Sequence, residues 1–257
     1  MFKPFRCLLE KYLPARIEAY AERQIKAHRV LREYLEYYRE RSPATGCSYS
    51  DYQLLYTYIK KHKPTEVLEC GTGFSTLVIM QALKENEEEH GIRGHLVSME
   101  ESEQYYKAAI ENLPADLKND QRLEIIWSPA IEDAYDFFQG VRYRDVPKRK
   151  YDFVYVDGPT LMIGSDKKIR TFTLDFVNVV LENEHPVSAL IDTRKRTCFI
   201  YSLLFPKKFR YDYMRYVGIV EGATKNDLAN GKIIAERAVE QHIFRRPALV
   251  KSITGRY

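Results

Sequence analysis

Apolar residues recur at helical spacing through Ile25, Val30, Leu31, Tyr34, Leu35 and Tyr38. They lie in a stretch from Phe5 to Arg41 without glycine and with Pro14 as its one internal proline. The pattern predicts one or two amphipathic helices, an N-terminal helical extension over residues 1–45. The breaker Ser42-Pro43-Ala44-Thr45-Gly46 ends it, and a main domain over 46–257 is expected to begin in earnest near Tyr49. There the pattern changes to short apolar runs separated by helical ones. Glu66–Cys70 reads as a strand, followed by a helix from Ser75 to about Lys84 with the acidic Glu85–Glu89 as its solvated end. His95–Met99, Arg122–Trp127, Asp152–Val156 and Val187–Ile191 read as further strands, and Ser102–Leu113, Ile131–Phe138 and Thr171–Leu181 as helices. Such alternation predicts an α/β fold with a doubly wound, mostly parallel sheet covered by helices on both faces. Phe209–Val220 and Gln241–Arg245 look like longer strands close in sequence, which predicts an antiparallel C-terminal edge.

Composition narrows the class. The 257 residues suffice for a large core, and 45% hydrophobic with 30% charged residues are ordinary globular values. No run approaches the ~20 apolar residues that cross a bilayer, and Met1–Leu9 is broken by Pro4, Arg6 and Cys7, unlike a signal peptide. Cys7, Cys47, Cys70 and Cys198 lie far apart, so neither a zinc ribbon nor a disulfide scaffold is expected, and a reducing cytoplasm is the expected setting. The net charge of +4 resides in residues 1–42, which hold 10 Lys/Arg and 6 Asp/Glu. The remainder is neutral, which argues against a nucleic-acid footprint.

Chemistry concentrates at strand ends. In Val67-Leu68-Glu69-Cys70-Gly71-Thr72-Gly73-Phe74-Ser75-Thr76 a strand runs into a glycine turn and a helix start. Glycines there let the chain turn sharply and let a ligand reach the exposed N–H groups. A dinucleotide fingerprint wants Gly or Ala where Thr76 stands. Glu69 would repel a pyrophosphate and suit a ligand carrying an ammonium group. A nicotinamide oxidoreductase is disfavoured on both counts. Cys70 reads as a small core residue, and the six histidines show no metal-ligand spacing.

The E-x-G-x-G turn followed by Ser-Thr resembles the first motif of class I S-adenosylmethionine-dependent methyltransferases, and the later motifs follow in order over about residues 49–220. Glu-x-Gly-x-Gly-x-Ser-Thr and Val-Asp-Gly look most like the small-molecule and sugar O-methyltransferase branch. The resemblance implies a Rossmann-like fold and S-adenosylmethionine as cofactor. It would bind at Glu69, Gly71, Thr72, Gly73 and Ser75, with Glu100 on the ribose, Ser128 and Ala130 at the adenine, and Asp157 facing the transferred methyl as the catalytic candidate. Two departures stand out: the Gly73–Glu100 spacing is lengthened by the acidic insert, and the adenine turn lacks the usual acid, with Glu132 and Asp133 as near alternatives. Catechol-type relatives hold a divalent metal with acids after the fourth and fifth strands. Asp157 and Asp192 stand there, but Thr193 follows instead of Asn or Asp, so a divalent metal is kept only as the second reading and no metal ligand is assigned.

Lys167, Lys168 and Arg170 follow one strand and Arg194, Lys195 and Arg196 the next. If these loops converge on the cofactor mouth, Lys167, Lys168, Arg170, Arg194 and Arg196 would bind a small anionic, sugar-like acceptor through charge-assisted hydrogen bonds. Solvated loops that are basic by chance are the bland alternative. Two other functions stay open: a binding or scaffold module without turnover, and a methyltransferase acting on protein or RNA. Self-association through the N-terminal helices is the further expectation.

Overall fold

The computed structural model describes residues 3–42, 48–164 and 169–244. Two helices, α1 (Lys3–Ala27) and α2 (Arg29–Arg41), precede α3 (Tyr49–His62), β1 (Glu66–Cys70), α4 (Phe74–His90), β2 (His95–Glu100), α5 (Glu103–Glu111) and β3 (Leu123–Trp127). A hairpin of β4 (Ala130–Tyr135) and β5 (Phe138–Tyr143) leads to β6 (Phe153–Val156) and a small hairpin of β7 (Met162–Ile163) and β8 (Ile169–Arg170). Then come α6 (Asp175–Glu182), β9 (Val187–Ile191), α7 (Lys195–Leu204), β10 (Phe209–Asp212), β11 (Val217–Ala223) and α8 (Lys225–Phe244). One seven-stranded sheet runs in the order β10-β11-β9-β6-β1-β2-β3. β3, β2, β1, β6 and β9 are parallel, and β11 and β10 add antiparallel at one edge. The carboxyl ends of the five parallel strands therefore share one edge, where open α/β sheets bind ligands.

The central strand explains the register. Val67, Leu68 and Cys70 are fully buried because helices cover both faces, and Glu69 between them is buried with them. One core face gathers Val67 with Leu77, Val78 and Phe153, and the other gathers Leu68 with Val154, Val177 and Ala189. α4 ends at Gly91, whose φ of 68° is the left-handed cap that glycine adopts without strain. Helix α1 packs on α3, and α2 on α4. The joint with α3 is specific: the Glu18 carboxylate accepts from the N–H groups of Tyr49 (2.6 Å) and Ser50 (2.9 Å), the free donors at the start of α3. Among the described residues no helix is long and apolar enough to cross a membrane.

Three expectations need correction. Ile131–Phe138 is no helix; it belongs to the β4–β5 hairpin, which turns at Asp136 with φ of 55°. Gln241–Phe244 is no strand, since α8 runs on from Lys225 to Phe244, and Arg245 lies outside the described residues. Thr224 and Asp227 start that helix with reciprocal side-chain caps. Gly231 then lets it approach α7 so closely that a Cβ would sit 1.8 Å from the Leu204 carbonyl oxygen. The helix expected from Thr171 begins instead at Asp175, because Thr173 is drawn into a bridge with Val141 of β5.

Candidate active site

The glycine turn after β1 and the turn after β6 meet at backbone distance. Gly71 has a φ of +103°, and a Cβ there would lie 3.0 Å from the Gly158 nitrogen. A Cβ on Gly158 would lie 2.2 Å from the Tyr143 hydroxyl and 2.7 Å from the Gly71 nitrogen. No side chain fits at either position, so the two turns pack main chain against main chain, and open space lies beside them. That space is a cavity of about 340 Å³ at the carboxyl edge. Gly71, Thr72, Glu100 and Glu101 line it from β1 and β2, Asp157 to Thr160 and Arg194 from β6 and β9. Tyr105 and Ala108 of α5, Tyr143 of β5, and Tyr38 and Ser42 at the end of α2 complete the wall.

The expected residues divide in two. Thr72, Gly71, Glu100 and Asp157 surround the cavity. Glu69 stands behind it, fully buried, where Thr76 and Ser98 each donate to its Oε2 at 2.6 Å. Its Oε1 has no hydrogen-bond partner. Burial pushes its carboxyl up to about 7, against the opposing pull of the Ser75, Ser98 and Thr76 hydroxyls. Thr76, odd for a dinucleotide fingerprint, is thus a donor to this acid, and it also receives the Gly73 N–H at 3.1 Å. Ser75 is buried in the first turn of α4, and Gly73 begins that helix facing the Tyr38 hydroxyl.

Glu100 is nearly buried. Its Oε1 accepts from the Ser102 N–H at 2.8 Å, while burial raises its pKa. Glu101 beside it accepts from the Thr160 N–H at 2.8 Å and so fastens the turn after β6 to β2. Ser128 and Ala130 do not line the cavity. The Ser128 hydroxyl accepts from the Asp145 N–H at 2.9 Å, and Ala130 opens the hairpin. Glu132 and Asp133 sit further along the same strand.

On the far side, Arg194 donates to the Pro159 carbonyl at 2.6 Å and lies 3.7 Å from Asp157 Oδ1. Asp192 is buried, and Asp51 of α3 faces it. Burial, then the Asp192 carboxylate, pushes Asp51 up to about 7. Burial also raises Asp192, opposed by Arg194. Each acid keeps one buried oxygen without a hydrogen-bond partner. Among the described residues no group of three His, Cys, Asp or Glu is placed to hold a metal ion. Beside Asp157 stands the Arg194 guanidinium. Cys70 is inert, its thiol pushed well up by burial.

The basic loops separate. Arg194 reaches this cavity; Arg170 and Arg196 line another, behind the β7–β8 hairpin. Lys167 and Lys168 lie outside the described residues. Sequence reasoning missed Tyr38, Asp51 and Tyr143. Of these only Asp51 left a trace, the Ser48-x-x-Asp51 capping pattern, which marks a helix start and no site.

Residues 68–174 match the family model described as a methyltransferase domain. That span holds the strand-end motifs, from Glu69 to Asp157, that resemble this class. A comparison with curated proteins gives no match. Among solved structures, the chain is similar to the SAH-bound methyltransferase PaMTH1 of Podospora anserina, at 16% identity over 90% of this chain and 87% of that one, with a TM-score of 0.47. It is likewise similar to a putative caffeoyl-CoA O-methyltransferase from Staphylococcus aureus, at 16% identity over 79% and 100%, TM-score 0.49. A third is the O-methyltransferase from Bacillus cereus in complex with SAH, at 16% identity over 75% and 90%, TM-score 0.46.

Proposed function

We propose that the protein is an S-adenosylmethionine-dependent O-methyltransferase acting on a small acceptor with an anionic group. One observation carries the reading: the glycine turn, Glu100, Asp157 and Arg194, far apart in sequence, surround a single cavity at the carboxyl edge of the sheet. Two features fit the cofactor. Gly71 and Gly158 let the two strand-end turns pack at backbone distance, so main chain forms that part of the cavity wall, and the buried, partnerless Oε1 of Glu69 behind it suits a ligand that brings an ammonium charge. When bound, the cofactor supplies a methyl group on a sulfonium.

The chain's own residues have the remaining tasks. Glu100 accepts hydrogen bonds from ribose hydroxyls, which its buried carboxylate does more strongly than an exposed one. Gly71 and Thr72 offer backbone where the cofactor crosses the strand ends. Asp157 would take the proton of the acceptor hydroxyl, and Arg194, 3.7 Å from it, would bind the acceptor's anion. Alignment of donor and acceptor is the larger contribution, since in-line displacement depends on a near-attack geometry.

Calorimetric titration with S-adenosylhomocysteine tests this. One site per chain is expected, and Glu100→Ala should weaken it by about 1–3 kcal/mol, roughly 5- to 150-fold. Equal affinity in the variant would overturn the ribose assignment.

A further inference from the structure

A second cavity, of about 400 Å³, lies on the other side of the β7–β8 hairpin and shares no lining residue with the first. Its walls are Phe137, Phe138, Phe172 and Phe199, and Arg170 and Arg196 stand at its rim. The floor is fixed. Phe138 meets Phe172 edge-on at 6.4 Å, and Phe172 meets the fully buried Tyr201 in the same way at 6.5 Å. The walls, in contrast, are wet: Phe199 is 63% exposed and Phe137 48%. Two exposed phenyl rings facing one concavity form an apolar surface that a monomer rarely leaves without purpose.

The charge at the rim is equally unspent. Arg196 donates to the Arg170 carbonyl, which holds one guanidinium in place beside the other arginine's backbone. Neither arginine pairs with a carboxylate among the described residues. Two acids close by in sequence to the lining are engaged elsewhere: Asp136, next to Phe137, pairs with Lys232 at 2.5 Å, and Asp175 is buried and bonded by Thr173 and the Tyr143 N–H. An apolar bowl with a cationic lip selects an apolar body that ends in an anion. The volume falls within the ~300–1,000 Å³ of small-molecule sites, which favours such a ligand over a flat protein partner.

We infer that this cavity is a second ligand site, for a small apolar monoanion such as a medium-chain carboxylate, with its anion held by Arg170 and Arg196. The site is independent of methyl transfer, because no residue of it touches the first cavity.

The test is calorimetry of the full chain with decanoate and, in parallel, 1-decanol. Decanoate should bind at least tenfold more tightly than decanol. Arg170→Gln with Arg196→Gln should remove that preference, and Phe199→Ser, at an exposed position, should weaken both ligands at least threefold with an unchanged melting temperature. Saturating S-adenosylhomocysteine should leave decanoate affinity within twofold. Any of three results overturns the inference: no decanoate binding to folded protein, equal affinity for decanol, or displacement of decanoate by S-adenosylhomocysteine. Failure of S-adenosylhomocysteine to bind at all would count against the cofactor reading and leave the decanoate comparison intact.

Discussion

Replacing Glu69 by Gln perturbs one buried oxygen and nothing else in shape. In the native protein the carboxyl is held at about 7, against an ordinary value of 4.5, because burial penalises its charge more than the Thr76, Ser98 and Ser75 hydroxyls repay. The folded state therefore binds a proton more tightly than the unfolded chain does. This group's contribution to stability is fully present below pH 4.5 and is lost as pH rises through 7. A shift of that size corresponds to about 3 kcal/mol lost between pH 4 and pH 8. Gln keeps an acceptor for the two hydroxyls and carries no charge, so the variant loses none of it. Urea unfolding at pH 4, 6 and 8 should show Glu69→Gln gaining on the native protein by about 3 kcal/mol from the lowest to the highest pH. The other buried acids, Asp51 and Asp175, titrate alike in both proteins and cancel. A difference between the two proteins that stays constant across this range would refute the assignment of Glu69 as a strained, uncompensated acid.

Other outcomes follow from the same geometry. Gly158→Ala sets a methyl group against the Tyr143 hydroxyl and two backbone atoms that cannot retreat, so it should cost about 3 kcal/mol in thermal or urea unfolding. Arg194→Met should raise the KM of an anionic acceptor at least tenfold, with S-adenosylhomocysteine affinity within threefold and no change for a neutral analogue, as read by initial rates and calorimetry. Tyr34→Phe removes the 2.5 Å hydrogen bond to Asp116 that ties α2 to the segment after α5, and should cost about 1–2 kcal/mol in urea unfolding.

Much of the fold was legible because its strands are buried on both faces. Val67–Cys70, Phe153–Val156 and Val187–Ile191 are mostly apolar on both faces, with Glu69 and Ser188 as the exceptions, as a covered sheet requires, and the last two are followed by Asp157 and Asp192 at the edge where ligands gather. The β4–β5 hairpin was not legible. Its turn is Asp136-Phe137, without the glycine that usually marks one, and Ile131-Glu132-Asp133-Ala134-Tyr135 satisfies a helical spacing as well as a strand's. The site split in the same way. Glycines and strand-end acids announce themselves because the local backbone demands them. Tyr38, Asp51 and Tyr143 reach the strand ends through packing of α2, α3 and β5, which no local pattern records. The basic loops show the limit most clearly. Arg194 and Arg196 are two residues apart, yet Arg194 precedes the first turn of α7 and reaches toward Pro159, while Arg196 within that turn reaches toward Arg170 on the other side of the hairpin.

The most direct measurement is a crystal structure of the protein soaked with S-adenosylhomocysteine. The account predicts density in the cavity between Gly71 and Arg194, with the ribose hydroxyls on Glu100, the amino group toward Glu69 and the sulfur facing Asp157. Density elsewhere, or an empty cavity at saturating ligand in crystals whose cavity is open to solvent, would contradict it.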